Sequence, residues 1–178
     1  MKTIKFICVC FLVTTTLFLT SCSSDDDGGG GGSAAAGTIT AKVDGTNVTT
    51  VEIATFATQI GSSMMQIQGN TGGTSSKAFV LNIMTYNGVG TYDIGGGEFG
   101  LGQANVSYAE ISFDLSNPLD IQEETWNAPF DGGEKVGEIQ VSEVTDTNIK
   151  GTFYFTARNV DDNTQKQITE GSFNIDLD

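Results

Sequence analysis

From Thr38 onward, apolar and polar residues alternate in short runs that are broken by glycine, asparagine and aspartate, a period of two that predicts strands. Ile39, Ala41 and Val43 form one such face and run into Asp44-Gly45. That dipeptide suits a type I′ hairpin, whose two central residues both need positive φ. Phe79, Leu81 and Ile83 form the next face, and Asn87-Gly88 after them reads as a second turn of the same kind. The clearest hairpin is C-terminal. Ile149, Gly151, Phe153, Phe155 and Ala157 face one way, while Lys150, Thr152, Tyr154, Thr156 and Arg158 face the other. Residues 159–164 then turn the chain, and residues 165–177 return.

Three runs change parity partway. Val51 and Ile53 give way to Phe56, Thr58 and Ile60; Val106 and Tyr108 to Ile111 and Phe113; Ile168 to Phe173 and Ile175. A one-residue slip would turn every later side chain to the wrong face, so each change predicts a bulge, with Gly171 the candidate in the last. The glycine-rich residues 95–102, around Glu98, Phe99 and Leu101, and residues 116–134, with both prolines and the lone tryptophan, read as long loops. The expected fold is all-β, an antiparallel β-sandwich or an open, bulged barrel of about 8–11 short strands, over residues 38–178.

The first 37 residues are of another kind. Two lysines precede an apolar run from Phe6 to Leu19, shorter than the ~20 residues of a membrane span and right for a secretory signal. It ends at Leu19-Thr20-Ser21-Cys22, which resembles the lipobox of bacterial lipoproteins. The resemblance implies a signal peptide over residues 1–21 and a lipid on Cys22. Ser23, Ser24, Asp25, Asp26 and Asp27 follow, and their position resembles the export signal that carries Bacteroidota lipoproteins to the cell surface. A solvated acidic linker would use the same residues. Residues 28–37 are mostly glycine, serine and alanine, so the segment from 22 to 37 reads as a flexible tether reaching on the order of 20 Å.

Composition then narrows the chemistry. With 22 acidic against 8 basic residues the formal net charge is -14, which excludes a phosphate-binding surface for nucleic acid. There is no histidine, and the 3 cysteines all lie at or before Cys22. Triads built on histidine, thiol nucleophiles, disulfides and zinc sites of His and Cys are thereby excluded from the folded part. The glycine-rich residues 95–100 lack the Lys-Ser/Thr and the helix of a phosphate loop.

Carboxylate chemistry survives. Asp120-Ile121-Gln122-Glu123-Glu124-Thr125-Trp126 places acids beside an aromatic ring able to stack on a sugar, which raises a glycoside hydrolase as the alternative to a non-catalytic role. Neighbours in sequence do not make an opposed pair, however, and Trp126 suits the core equally. Calcium is the natural ion for an acidic exported domain, and Asp131 with Glu134, and Asp161 with Asp162 and Asn163, are its candidate loops. Neither has EF-hand spacing, and both suit ordinary turns. Trp126, Phe130 or Phe99 would make a ligand patch only if exposed.

Over most of residues 38–178 the chain resembles a family of uncharacterised Bacteroidota lipoproteins. The resemblance is carried by Ala41-Lys42-Val43-Asp44-Gly45, Gly90-Thr91-Tyr92, Gly151-Thr152-Phe153-Tyr154-Phe155-Thr156-Ala157 and Ile168-Thr169-Glu170-Gly171-Ser172-Phe173-Asn174. It implies a small β-rich domain on a lipid anchor and brings no catalytic residues. The resulting expectation is an outer-membrane, surface-facing lipoprotein without cofactor, held by its lipid and binding a protein or glycan; a calcium-binding or spacer module is a further alternative.

Overall fold

The computed structural model describes residues 33–97, 102–130 and 132–177. The signal segment, Cys22, Ser23, Ser24, Asp25, Asp26 and Asp27, and further on Glu98, Phe99, Leu101 and Asp131, lie outside the described residues.

Eleven strands form one sheet: β1 (Thr38–Val43), β2 (Thr46–Thr49), β3 (Thr55–Ile60), β4 (Met64–Asn70), β5 (Ser75–Ile83), β6 (Gly90–Gly95), β7 (Ala104–Asp114), β8 (Asn117–Ala128), β9 (Lys135–Val144), β10 (Asn148–Arg158) and β11 (Gln165–Asp176). Their order is β2-β1-β11-β10-β9-β6-β7-β5-β4-β3, and β8 pairs with β7 and, at one residue, with β10. A parallel bridge from Ala57 in β3, the last strand of this order, to Leu177, just past β11, closes the sheet back on itself, so it curls into a barrel with β1 and β2 beyond the seam. Ladders are antiparallel except for that bridge and Ile94↔Ala104 between β6 and β7.

The alternation seen in the sequence builds the interior. Ile39, Ala41 and Val43 point in, and Asp44 (φ 48°) and Gly45 (φ 81°) make the turn with the positive angles it requires. Phe79, Leu81 and Ile83 are fully buried, as are Ile149 and Ala157 of β10. Phe153 is the hub: its ring centroid lies 5.9 Å from Phe79, 6.1 Å from Phe155 and 6.4 Å from Phe173. Aromatic pairs at such spacings add to the apolar area they bury.

The predicted bulge in β11 is present. Phe153 pairs with Gly171 but Phe155 with Ile168, so β11 spends extra residues there. Glu170 takes the positive φ, 51°, while Gly171 lets the Phe153 ring come against the backbone.

Four expectations are corrected. Asn87-Gly88 does not close a hairpin: β5 and β6 are not paired, only Gly88 of the two has positive φ, and the connection is pinned by Tyr92, whose hydroxyl accepts from Asn87 N and donates to Gly88 O at 2.6 Å. Near Val51 there is a 3-10 turn, Glu52–Ala54, in place of a bulge. The Thr55 hydroxyl ties that turn to Thr50 and to Val51 O, so Thr55 and Ala57 face inward and Phe56 and Ile60 do not. The parity change in β7 is no bulge either, since its register with β5 is unbroken from Ala104 to Ser112. Finally, most of the supposed loop at 116–134 is β8, one of the two longest strands. Polar residues interrupt its apolar ones on both faces, so it has no regular alternation to announce it.

The chain comes into the barrel at one end and reaches the other along β1. Gly37 N donates to Asn174 O at 2.8 Å at the near end, and Asp44 Oδ1 accepts from Gln167 N at 2.9 Å at the far end.

Candidate functional site

At that far end β7 and β8 outrun the core. Val106 and Tyr108 of β7 and Trp126 of β8 are buried. Further along, the same pleat faces carry Glu110 and Ser112, and Glu124 and Gln122. Registers set Lys77 of β5 opposite Glu110, and Glu110 opposite Glu124; Ser75, Ser112 and Gln122 form the next row. Three strands thus leave the barrel as a ribbon with a polar trough continuous with the core face. A depression of about 250 Å³ lies over these rows.

The ribbon's other face is apolar. Phe113 is paired with Ile121, and they are 36% and 60% exposed; Leu115, in the turn between the strands, is 74% exposed. Isolated exposed apolar residues are ordinary, but side chains grouped on a projecting ribbon mark a contact surface.

Where ribbon meets barrel, Lys166 closes the core. Its Nζ lies 4.8 Å from the Trp126 ring centre, 3.4 Å from Glu110 Oε1 and 3.7 Å from Asp44 Oδ2. The Tyr108 hydroxyl donates to Glu110 Oε1 at 2.8 Å, and Trp126 Nε1 donates to Thr164 Oγ1 at 2.9 Å. Burial first, then the hydrogen bond to Glu110 and the charges of Glu110 and Asp44, hold the Tyr108 phenol far above its usual range. It therefore keeps its proton at ordinary pH. Trp126 is 3% exposed and lies under Lys166, so its face offers no stacking platform to a sugar.

Residues singled out in the sequence meet along the outer edge of β8. A groove of about 420 Å³ separates that edge from the β10–β11 turn, and Glu123, Glu124, Val160, Asp161 and Asp162 line it. Asp120 lies further out on the trough face, where Gln122 Nε2 donates to its Oδ1 at 2.6 Å. Within the turn the acids do turn chemistry. Asp162 Oδ1 accepts from Thr164 N at 2.9 Å and Thr164 Oγ1 at 2.8 Å, bonds that hold its carboxyl below the usual range. Asn163 takes φ 61°, and Asp161 N donates to Asn159 Oδ1 at 2.8 Å. Glu134 is exposed on the β8–β9 connection. Among the described residues no three acidic side chains are grouped to hold a metal ion.

The acids of residues 120–124 do not oppose one another: Asp120 and Glu124 share the trough face, and Glu123 points the other way. The pair the register does set side by side is Glu110 with Glu124, on adjacent strands of one face. Sequence reading passed over Glu110 and Lys166. The one visible signal for Glu110 was the point after Tyr108 where the apolar positions change parity, and Lys166 had none.

Fold and site together define a small all-β protein, a bulged barrel with a projecting, partly apolar ribbon. The family model for a domain of unknown function (DUF6252) matches residues 35–175, and the chain belongs to that family. No curated protein and no solved structure matches it.

Proposed function

We propose that this protein is a lipoprotein held in the outer membrane by a lipid on Cys22, exported to the cell surface through Ser23, Ser24 and the acidic triplet Asp25, Asp26 and Asp27, and serving there as a non-catalytic binding module. The observation that carries the binding role is the ribbon, whose Phe113, Leu115 and Ile121 stand in solvent. Its position supports the reading. The segment leading from the tether meets the barrel beside Asn174, at the opposite end from the ribbon, so an anchored domain presents the ribbon away from the membrane. A protein partner fits an apolar tip better than a glycan does, because the aromatic ring best suited to a sugar is buried beneath Lys166.

The test is photo-crosslinking in intact cells from a benzoyl-phenylalanine at position 115, with position 146 in the β9–β10 turn as the far-end control. A discrete adduct from 115, absent from 146, is expected. Equal labelling at both positions, or none at 115, would overturn the binding role. The anchor and route are tested separately. Cys22→Ser should abolish incorporation of an alkyne fatty acid, and replacing Asp25, Asp26 and Asp27 by alanine should hide the domain from protease added to whole cells. A fatty acid retained in Cys22→Ser, or a variant shaved as fast as the native protein, would refute them.

A further inference from the structure

The outer edge of β8 is an unfilled place in the sheet. β8 touches β10 only at Asn127↔Arg158, and there β10 ends and its chain turns away at Asn159. Among the described residues, no strand pairs with that edge over residues 117–126. β10's path continued past Arg158 would run alongside β8, whose edge keeps an unbroken register with β7 from Ile121 to Trp126, about 20 Å at the ~3.3 Å rise of a strand, before the bulge that follows at residues 118–120. Edge strands in soluble proteins are normally short, bulged or covered, because a row of unpaired N–H and C=O groups is a template for another chain. Here a long edge stands beside a groove.

Charge says what fills it. Glu110, Asp120, Glu123, Glu124, Asp161 and Asp162 surround the lane; Lys77 and Lys166 stand on the trough side, and Arg158 lies at the inner end, opposite Asn127. A second copy of this chain would bring the same acids, on a molecule of net charge -14, directly opposite their like. The pleat specifies more. A strand added here continues both faces of β8, so its alternate residues meet Gln122 and Glu124 on the trough side, with Asp120 at the end, and those between meet Ile121, Glu123 and, one strand further in, Phe113.

Resting on the proposal that the ribbon end binds a protein, we infer that β8 captures an extended segment of that partner by strand addition, and that this segment alternates Lys or Arg with apolar residues. Main-chain hydrogen bonds supply the attachment; the acids and the Phe113–Ile121 face select the sequence. The acidic edge thereby excludes its own kind and admits a basic strand.

The test uses the full chain with a blocked peptide, Thr-Lys-Val-Lys-Val-Lys-Val-Thr, and the same peptide with Glu for Lys. Amide exchange is followed by NMR. The basic peptide should bind and slow exchange at every second amide of residues 121–126, and the acidic one should not bind. Asp120→Lys with Glu124→Lys should weaken binding about tenfold or more, because two attractive cross-strand pairs become repulsive. Asp146→Lys with Asp176→Lys, at the far end, should change it little. Binding of the basic peptide without protection in β8 would overturn strand addition in favour of general attraction between opposite charges. No binding, together with a crosslink from position 115 in cells, would overturn it while leaving the ribbon's binding role intact. Absence of both would remove both readings.

Discussion

At the β11 bulge, the glycine and its neighbour are expected to behave opposite to habit. A glycine in a bulge is ordinarily taken to supply the positive φ, yet here Glu170 has φ 51° and Gly171 supplies space. A Cβ on Gly171 would lie 2.6 Å from Phe153 Cδ2, Cε2 and O, against the ~3.5–4.0 Å at which carbon atoms rest. The ring cannot retreat, being packed on Phe79, Phe155 and Phe173, and the carbonyl is backbone. Gly171→Ala should therefore cost about 3 kcal/mol, the upper end for overpacking a core. For a domain of this size that lowers Tm by ~12 °C. Glu170→Gly relieves the ~1–2 kcal/mol that a left-handed backbone costs a residue with a Cβ. It adds ~0.5–1 kcal/mol of glycine entropy and loses the exposed pair of Glu170 with Lys42 at 2.8 Å, worth ~0–1 kcal/mol. The net is within about 1 kcal/mol of zero. Thermal and urea unfolding of both variants decide the matter, and Phe153→Leu added to Gly171→Ala should return part of the loss. A neutral Gly171→Ala, or a Glu170→Gly that is the more damaging of the two, would refute the assignment.

Four further outcomes follow from packing and protonation. Tyr108 stays neutral in the fold at pH values where the unfolded phenol, near 10, has ionised; its contribution is intact below pH 10 and is lost above it. Stability should fall by ~1.4 kcal/mol per pH unit for this group, and urea midpoints between about pH 9 and 11.5 should show a shallower fall in Tyr108→Phe. Tyr86, also held above its usual value by burial and the neighbouring Tyr92, adds to the wild-type slope. Tyr92→Phe should cost ~1–2 kcal/mol and speed exchange of the Asn87 amide, since the hydroxyl accepts from that amide at 3.2 Å. Trp126→Ala should cost ~3–5 kcal/mol in urea unfolding, the range for removing a large buried ring. Phe113→Ser with Ile121→Ser should shift unfolding by no more than ~0.5 kcal/mol per site while abolishing the crosslink at position 115; a large loss of stability would mean the ribbon's apolar face is structural.

What could be read from the sequence depended on whether a strand's neighbours in space were also its neighbours in the chain. β1 with β2, and β10 with β11, are joined by short turns and have apolar inner faces, so alternation exposed both pairs. The lane of β6 beside β9 rests on a pairing about 40–50 residues apart in sequence, and no period reports that. β3 was read on the wrong face because its inward positions are Thr55 and Ala57, whereas its large apolar residues, Phe56 and Ile60, point away from the core. β8 was missed because a ribbon strand wetted on both sides has no reason to alternate. The site divides the same way. Glu123, Glu124, Asp161 and Asp162 were singled out by composition, but their meeting across one groove follows from β10 turning away beside β8. Lys166 was unremarkable until the fold laid it over Trp126.

The placement of β1 has a mechanical consequence. The chain arrives at Thr38 and runs lengthwise through the sheet between β2 and β11, toward the ribbon end. Ladder bonds lie across the strands, so tension between residue 38 and the ribbon shears the β1–β11 and β1–β2 ladders together. The same force applied sideways to β2 would peel its bonds one by one. If the proposed anchor and partner hold the two ends, a pull between them would thus load the domain in shear and not in peeling.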